Sequence, residues 1–113
     1  MYKISKRMEV AGAHCLELNY ESPCQYVHGH NWIITVHCKT KELDENGMVI
    51  DFKHIKEAVH NKLDHRMINE VVDFNPTAEN MARWIQENVK NCYKVEVQES
   101  EGNIAIYEVD DEN

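Results

Sequence analysis

Period-two alternation at both ends of the chain, with two helical stripes between, is the feature that most restricts its fold. Tyr2, Ile4, Met8 and Val10 alternate with Lys3, Ser5, Arg7 and Glu9, and Trp32, Ile34, Val36 and Cys38 alternate with polar neighbours. Both segments read as half-buried strands. The stretch between, from Ala11 to Val27, has no such period and contains Pro23, so it reads as irregular. Asp44-Glu45-Asn46-Gly47 reads as a turn, because Asn-Gly accepts positive φ at little cost. Asp51 is placed to cap a helix whose apolar stripe is Phe52, Ile55, Val59 and Leu63. A second helix is expected from Asn75 as cap and Pro76 at its first position, with Ala78, Met81, Ala82, Ile85 and Val89 as its buried stripe. Tyr93, Val95 and Val97 alternate as a third strand, Glu101-Gly102-Asn103 turns, and residues 104–109 form a fourth. The order β-β-α-α-β-β predicts an α+β layer: an antiparallel sheet with two helices on one face. A four-stranded sheet in 113 residues leaves two edges open, which invites pairing with a second copy of the chain.

The length fits one domain, residues 1–113, and leaves little chain for a deep cleft of its own. Apolar runs are too short for a membrane span or a signal peptide. A net charge of −8, with no basic stripe, argues against nucleic acid or an anionic membrane as a partner. The acids Glu108, Asp110, Asp111 and Glu112 read as a solvated end. Four cysteines without a secretion signal point to free thiols in a reducing, cytoplasmic setting.

Seven histidines in so short a chain justify a search for a metal site. In an extended segment, residues two apart point the same way, so His28 and His30 of His28-Gly29-His30 can aim at one point. His14, in the preceding irregular stretch, is the best third ligand. Three neutral imidazoles with an open fourth position suit catalytic Zn²⁺, whereas Cys24 as a fourth ligand would give a closed structural site. The local pattern leaves both open, along with ordinary loop histidines. His37, His54 and His60 read as surface positions.

Leu63-Asp64-His65 ends the first helical stripe. Adjacent side chains on a helix diverge, but at its end the pair can act as an oriented base. Glu99 shares parity with Tyr93, Val95 and Val97. It is either a carboxylate on the buried face, suited to a bidentate bond with a guanidine-like group, or a solvated residue past the strand. Cys15 and Cys38 read as small apolar fillers, Cys92 as part of a turn, and Cys24 as a thiol near a cation that would favour its thiolate.

Six segments occur in one order: Ala13-His14, Cys24-x-x-x-His28-Gly29-His30-Asn31, residues 47–52 (Gly-Met-Val-Ile-Asp-Phe), Leu63-Asp64-His65, residues 75–80 (Asn-Pro-Thr-Ala-Glu-Asn), and Glu99 with Tyr107 downstream. Together they resemble the 6-pyruvoyltetrahydropterin synthase / 6-carboxytetrahydropterin synthase family over nearly the whole chain. The resemblance implies a T-fold whose subunits join their sheets into barrels, commonly hexamers built from two trimers, with active sites between subunits. It implies His14, His28 and His30 as zinc ligands and Cys24 as catalytic cysteine. Asp64 and His65 match a second catalytic pair supplied by a neighbouring subunit. Glu99 matches the carboxylate that anchors the pterin, and Thr77 and Glu79 match positions near the pterin pocket.

The short Cys24-to-His28 spacing looks like the queuosine-pathway 6-carboxytetrahydropterin synthases, which convert 7,8-dihydroneopterin triphosphate to 6-carboxytetrahydropterin, acetaldehyde and triphosphate. Pyruvoyl-type enzymes, which keep the side chain, carry a longer gap, and members with Glu for the cysteine are disfavoured by Cys24. Departures are Val10 and Cys15 flanking the first motif, where an aromatic and an Arg are frequent, and Ser100 where Thr is frequent. Lys3, Lys6, Arg7, Lys53 and Arg66 are candidate partners of a triphosphate. The contrasting reading is a non-catalytic, zinc-stabilised binding protein.

Overall fold

A computed structural model describes residues 1–109; of the acidic tail, Asp110, Asp111 and Glu112 lie outside the described residues. Two long strands, β1 (Tyr2–His14) and β2 (His28–Thr40), pair antiparallel over their whole length. Three short helices follow, α1 (Phe52–Ala58), α2 (His60–Leu63) and α3 (Ile68–Val71), with a two-residue strand β3 (Arg66–Met67) before α3. Then come α4 (Ala78–Asn88), β4 (Cys92–Ser100) and β5 (Asn103–Glu108). The sheet order is β3-β1-β2-β4-β5.

The α+β architecture is the one expected. The even-numbered side chains of β1 and β2 face the helices: Met8, Val10, Trp32, Ile34, Val36 and Cys38 are buried, and Val95 and Val97 continue this layer on β4. Ile55, Val59, Leu63, Ile68, Met81, Ala82 and Ile85 close it from the helical side. Burial of one face per element is what makes period two and period 3.6 legible in the sequence.

Several boundaries differ from the expected ones. β1 runs on to His14 and β2 starts at His28, so the first four residues of the stretch 11–27 that read as irregular belong to the hairpin. Ala11, Gly12 and Ala13 are too small to display an alternation, but their backbone pairs normally. The small size at Gly12 is required: a Cβ there would lie 3.1 Å from Ile68 Cδ1 and 3.4 Å from Trp32 Nε1. The first helical stripe breaks at Val59, whose ψ of −71° tilts the chain into a separate turn, α2. Phe52, at the head of that stripe, is largely exposed. β3 adds a parallel pairing, Gly12 with Arg66 and Ala13 with Met67, to an otherwise antiparallel sheet.

Asp51 caps α1, its carboxylate accepting from Lys53 N–H at 2.8 Å. The cap of α4 is Thr77 rather than Asn75: Thr77 Oγ1 accepts from Asn80 N–H at 3.1 Å. Asn75 instead holds Glu17, its amide exchanging two 2.9 Å hydrogen bonds with that residue's backbone. Cys92 is no turn residue; it is buried and opens β4. The β2–β4 register shifts between His37 and Cys38. Tyr93 falls in this bulge and turns to the opposite face, 6.2 Å from the His37 ring and beneath the Lys39 ammonium. It therefore does not share a face with Val95 and Val97.

Candidate metal centre and active site

The loop end of the β1–β2 hairpin brings three imidazoles together. His14 and His28 are Cα partners, and His30 lies one same-face step along β2. One ligand atom from each lies within 4.8 Å of the others. His14 is fully buried, and Trp32 forms the floor, edge-on to His14 at 4.9 Å and to His30 at 5.1 Å.

Hydrogen bonding fixes which nitrogens converge. His14 Nδ1 lies 2.8 Å from Pro76 O, and His28 Nδ1 lies 2.7 Å from Tyr26 O. A carbonyl only accepts, so each Nδ1 carries the proton and each Nε2 keeps its lone pair. Buried His14 Nε2 and His30 Nε2 have no hydrogen-bond partner. Orphaned buried polar atoms are costly and call for a physical reason. Three converging imidazoles, two of them oriented by backbone carbonyls, suit an imidazole-binding cation such as Zn²⁺, so the residues present fit a bound metal.

Burial also lowers the pKa of His14 and of His30, and the neighbouring imidazoles lower them further. For His14 the Pro76 hydrogen bond acts in the opposite sense, as does the Glu99 carboxylate for both. Neutral imidazoles are the form that binds metal. Glu99 Oε1 lies 3.6 Å from His30 Nε2, and Oε2 lies 4.0 Å from His14 Nε2. With neutral rings these are dipolar approaches rather than ion pairs. Glu99 thus lies on the helical face of β4, in line with Val95 and Val97.

Cys24 is outside this cluster. It lies half-buried in a single 3-10 turn (Pro23–Gln25) closed by a capping box between Ser22 and Gln25. The set of converging ligand atoms consists of the three imidazoles. That weighs against a closed four-ligand site with Cys24.

Asp64 and His65 lie where α2 meets β3. Asp64 Oδ1 accepts from Ala11 N–H at 2.9 Å, and this bond is the main cause of a lowered carboxyl pKa. His65 takes a left-handed conformation, φ 57°, and its N–H donates to Ala11 O. Its Nε2 lies 3.5 Å from Asp64 Oδ2, with the side chain 83% exposed. His60, which read as a surface position, reaches the same Asp64 oxygen at 3.6 Å. The spacing of four on a helical turn was the available clue. His37 is likewise half-buried, 2.7 Å from Glu96 Oε2. His54 is exposed as expected.

Glu79 and Glu99 line one cleft of about 500 Å³ between the start of α4 and the β4–β5 hairpin. Thr77 does not line it; it caps the helix that carries Glu79. His65 and Arg66 line another depression, of about 470 Å³, with Gly29 and His30. No helix among the described residues is long and apolar enough to cross a membrane.

A 28% identical relative, 6-carboxy-5,6,7,8-tetrahydropterin synthase of Bacillus subtilis, aligns over 94% of this chain and 84% of its own length. Dihydroneopterin monophosphate aldolase of Pyrococcus furiosus is 32% identical over 78% of this chain and 75% of its own. The solved structure of 6-pyruvoyl tetrahydropterin synthase from Caenorhabditis elegans superposes with a TM-score of 0.74 at 27% identity, covering 96% of each chain. This is the T-fold, and its sheet and helices are those described above. The sequence profile named 6-pyruvoyl tetrahydropterin synthase matches residues 3–110, which spans every segment carrying the histidines, the Asp64–His65 pair and Glu99: the chain belongs to that family.

Proposed function

We propose that this single-domain chain is a zinc-dependent lyase that converts 7,8-dihydroneopterin triphosphate to 6-carboxy-5,6,7,8-tetrahydropterin, acetaldehyde and triphosphate, in the cytoplasmic synthesis of queuosine. The observation that carries the reading is the convergence of three imidazoles, two of them with orphaned buried Nε2 atoms, beside the Glu99 carboxylate. Relatives named 6-carboxy-5,6,7,8-tetrahydropterin synthase, and the short Cys24-to-His28 spacing, support the subtype.

His14, His28 and His30 would hold the zinc, which supplies Lewis acidity to oxygens of the substrate side chain. Glu99 accepts two N–H bonds from the aminopyrimidine edge of the pterin, a bidentate geometry that orients the ring. Glu79 lines the same cleft, and Thr77 positions it by capping α4. Cys24, as thiolate, moves protons on one face of the side chain. His65, held by Asp64, moves them on the other. One such acid–base group is worth about 10²–10⁴-fold in rate.

His65 projects from its own subunit, and both sheet edges, β3 and β5, carry exposed backbone, with Ile104 and Ile106 of β5 more than half exposed. These features support a homo-oligomer, a hexamer of two trimers, in which His65 enters a neighbour's site.

The zinc-loaded protein incubated with dihydroneopterin triphosphate should release acetaldehyde and give a carboxypterin by mass spectrometry. A product that keeps the three-carbon side chain would instead assign the pyruvoyl reaction. Release of glycolaldehyde phosphate from dihydroneopterin monophosphate would assign aldolase chemistry, a reading favoured by the Pyrococcus furiosus relative. No turnover by a zinc-replete oligomer would leave a non-catalytic binding protein. Iodoacetamide should modify Cys24 with zinc retained; a Cys24 that resists until zinc is removed would overturn its assignment as a free thiol.

A further inference from the structure

Cys38, near the end of β2, and Cys92, at the start of β4, are Cα partners across an antiparallel ladder, and neither has a part in the chemistry above. Lys39 N–H donates to Asn91 O at 2.9 Å, while Cys92 N–H turns back to Val89 O at 3.2 Å. Lys39 and Asn91 therefore share a hydrogen bond beside the Cys38–Cys92 pair, whose Cys92 N–H is directed away from Cys38. Directly opposed residues of an antiparallel pair have Cα atoms about 4.5–5.5 Å apart. That separation lies within the window of about 4.4–6.8 Å that a disulfide spans. Both sulfurs are free thiols, Cys38 fully buried and Cys92 7% exposed.

We propose that Cys38 and Cys92 are a redox modification site, forming a cross-strand disulfide on exposure to a peroxide. The Cys38 thiol is pushed up by its hydrogen bond to Cys92 and by burial; the same hydrogen bond lowers Cys92, making it the more readily deprotonated sulfur of the pair. Cys92 is also the more accessible of the two. Its sulfur attacks one peroxide oxygen, giving a sulfenic acid and releasing hydroxide, which takes up a proton to become water. The Cys38 sulfur then attacks the sulfenic sulfur, closing the S–S bond, and the departing hydroxyl leaves with the Cys38 proton as a second water. The two thiols lose two electrons together and the peroxide gains them.

The bond would close residues 39–91, the segment that holds all four helices, Asp64 and His65, into a covalent loop. Restricting the unfolded chain in this way stabilises the fold. The pair lies at the opposite end of β2 from His28 and His30, so it does not depend on the catalytic reading.

The test treats the intact protein with hydrogen peroxide, alkylates it under denaturing conditions and maps peptides without reduction. The expected result is a Cys38–Cys92 peptide, loss of two alkylatable thiols per chain, and a raised Tm that returns to its starting value with dithiothreitol. Cys92→Ser and Cys38→Ser should each abolish the Tm rise, and the crosslink should still form in a Cys24→Ser background. Recovery of both Cys38 and Cys92 as alkylated thiols, or a bond from either to Cys15 or Cys24, would overturn the proposal.

Discussion

The two ends of β2 are built on opposite principles. From Trp32 to Cys38 every helix-facing side chain is fully buried and apolar, and its neighbours Val10, Val95 and Ile85 are of the same kind. At His28 and His30 the same face carries imidazoles, with Nε2 atoms of His14 and His30 buried and unpartnered. One end is stabilised by packing alone. The other gives up stability to hold lone pairs in place, the signature of a functional position in an otherwise consistent fold.

The sharpest way to break the comparison is to remove a ligand at the polar end. His28→Ala should abolish stoichiometric zinc, read by elemental analysis, and with it turnover, while the thermal transition of the metal-free protein stays cooperative. Asp64→Asn should retain zinc and lower kcat by about 10²–10⁴-fold, the worth of one acid–base group. At the apolar end, Ile34→Ala should cost about 2–5 kcal/mol by urea denaturation through transfer and cavity terms, with zinc stoichiometry unchanged. Thr77→Ala removes the α4 cap, and a loss of about 1 kcal/mol is expected by the same measurement.

The smallest effect sharpens the contrast by pH. In chelator-treated protein, His14 and His30 stay neutral in the fold below the ordinary value of 6.5. Between their folded values and 6.5 the unfolded chain binds more protons, so stability falls as pH falls through that window and is flat above it. Asp64, with a lowered folded pKa, keeps its contribution above 3.8 and loses it as pH drops through the folded value. Urea midpoints across pH 4 to 8 should therefore decline toward acid, and excess zinc should steepen that decline by adding stability that protons displace.

The alternating middles of β1, β2 and β4 were legible because one face of each is buried. Their ends were not. Ala11, Gly12 and Ala13 have no side chain large enough to show a period, so the stretch that sets His14 opposite His28 read as loop. β3 and α3 are shorter than any period and are held by Gly12 and Ile68 packing. Val59 fits both halves of a continuous stripe, so the break there left no mark. Tyr93 satisfied the alternation and still sits on the other face, because a bulge shifts register without changing composition. The three histidines were legible as candidates from their residue type and spacing; their orientation was not, since it depends on the carbonyls of Pro76 and Tyr26.

Pro76 is 62 residues from His14, and Glu99 is contributed by a strand formed later still in the chain. The β1–β2 hairpin alone brings the three imidazoles near one another, with the His28 tautomer set locally by Tyr26. The His14 ring is fixed only after the segment before α4 has docked its Pro76 carbonyl against it. A His14 ring held by Pro76 thus distinguishes chains that have completed long-range assembly from those that have not.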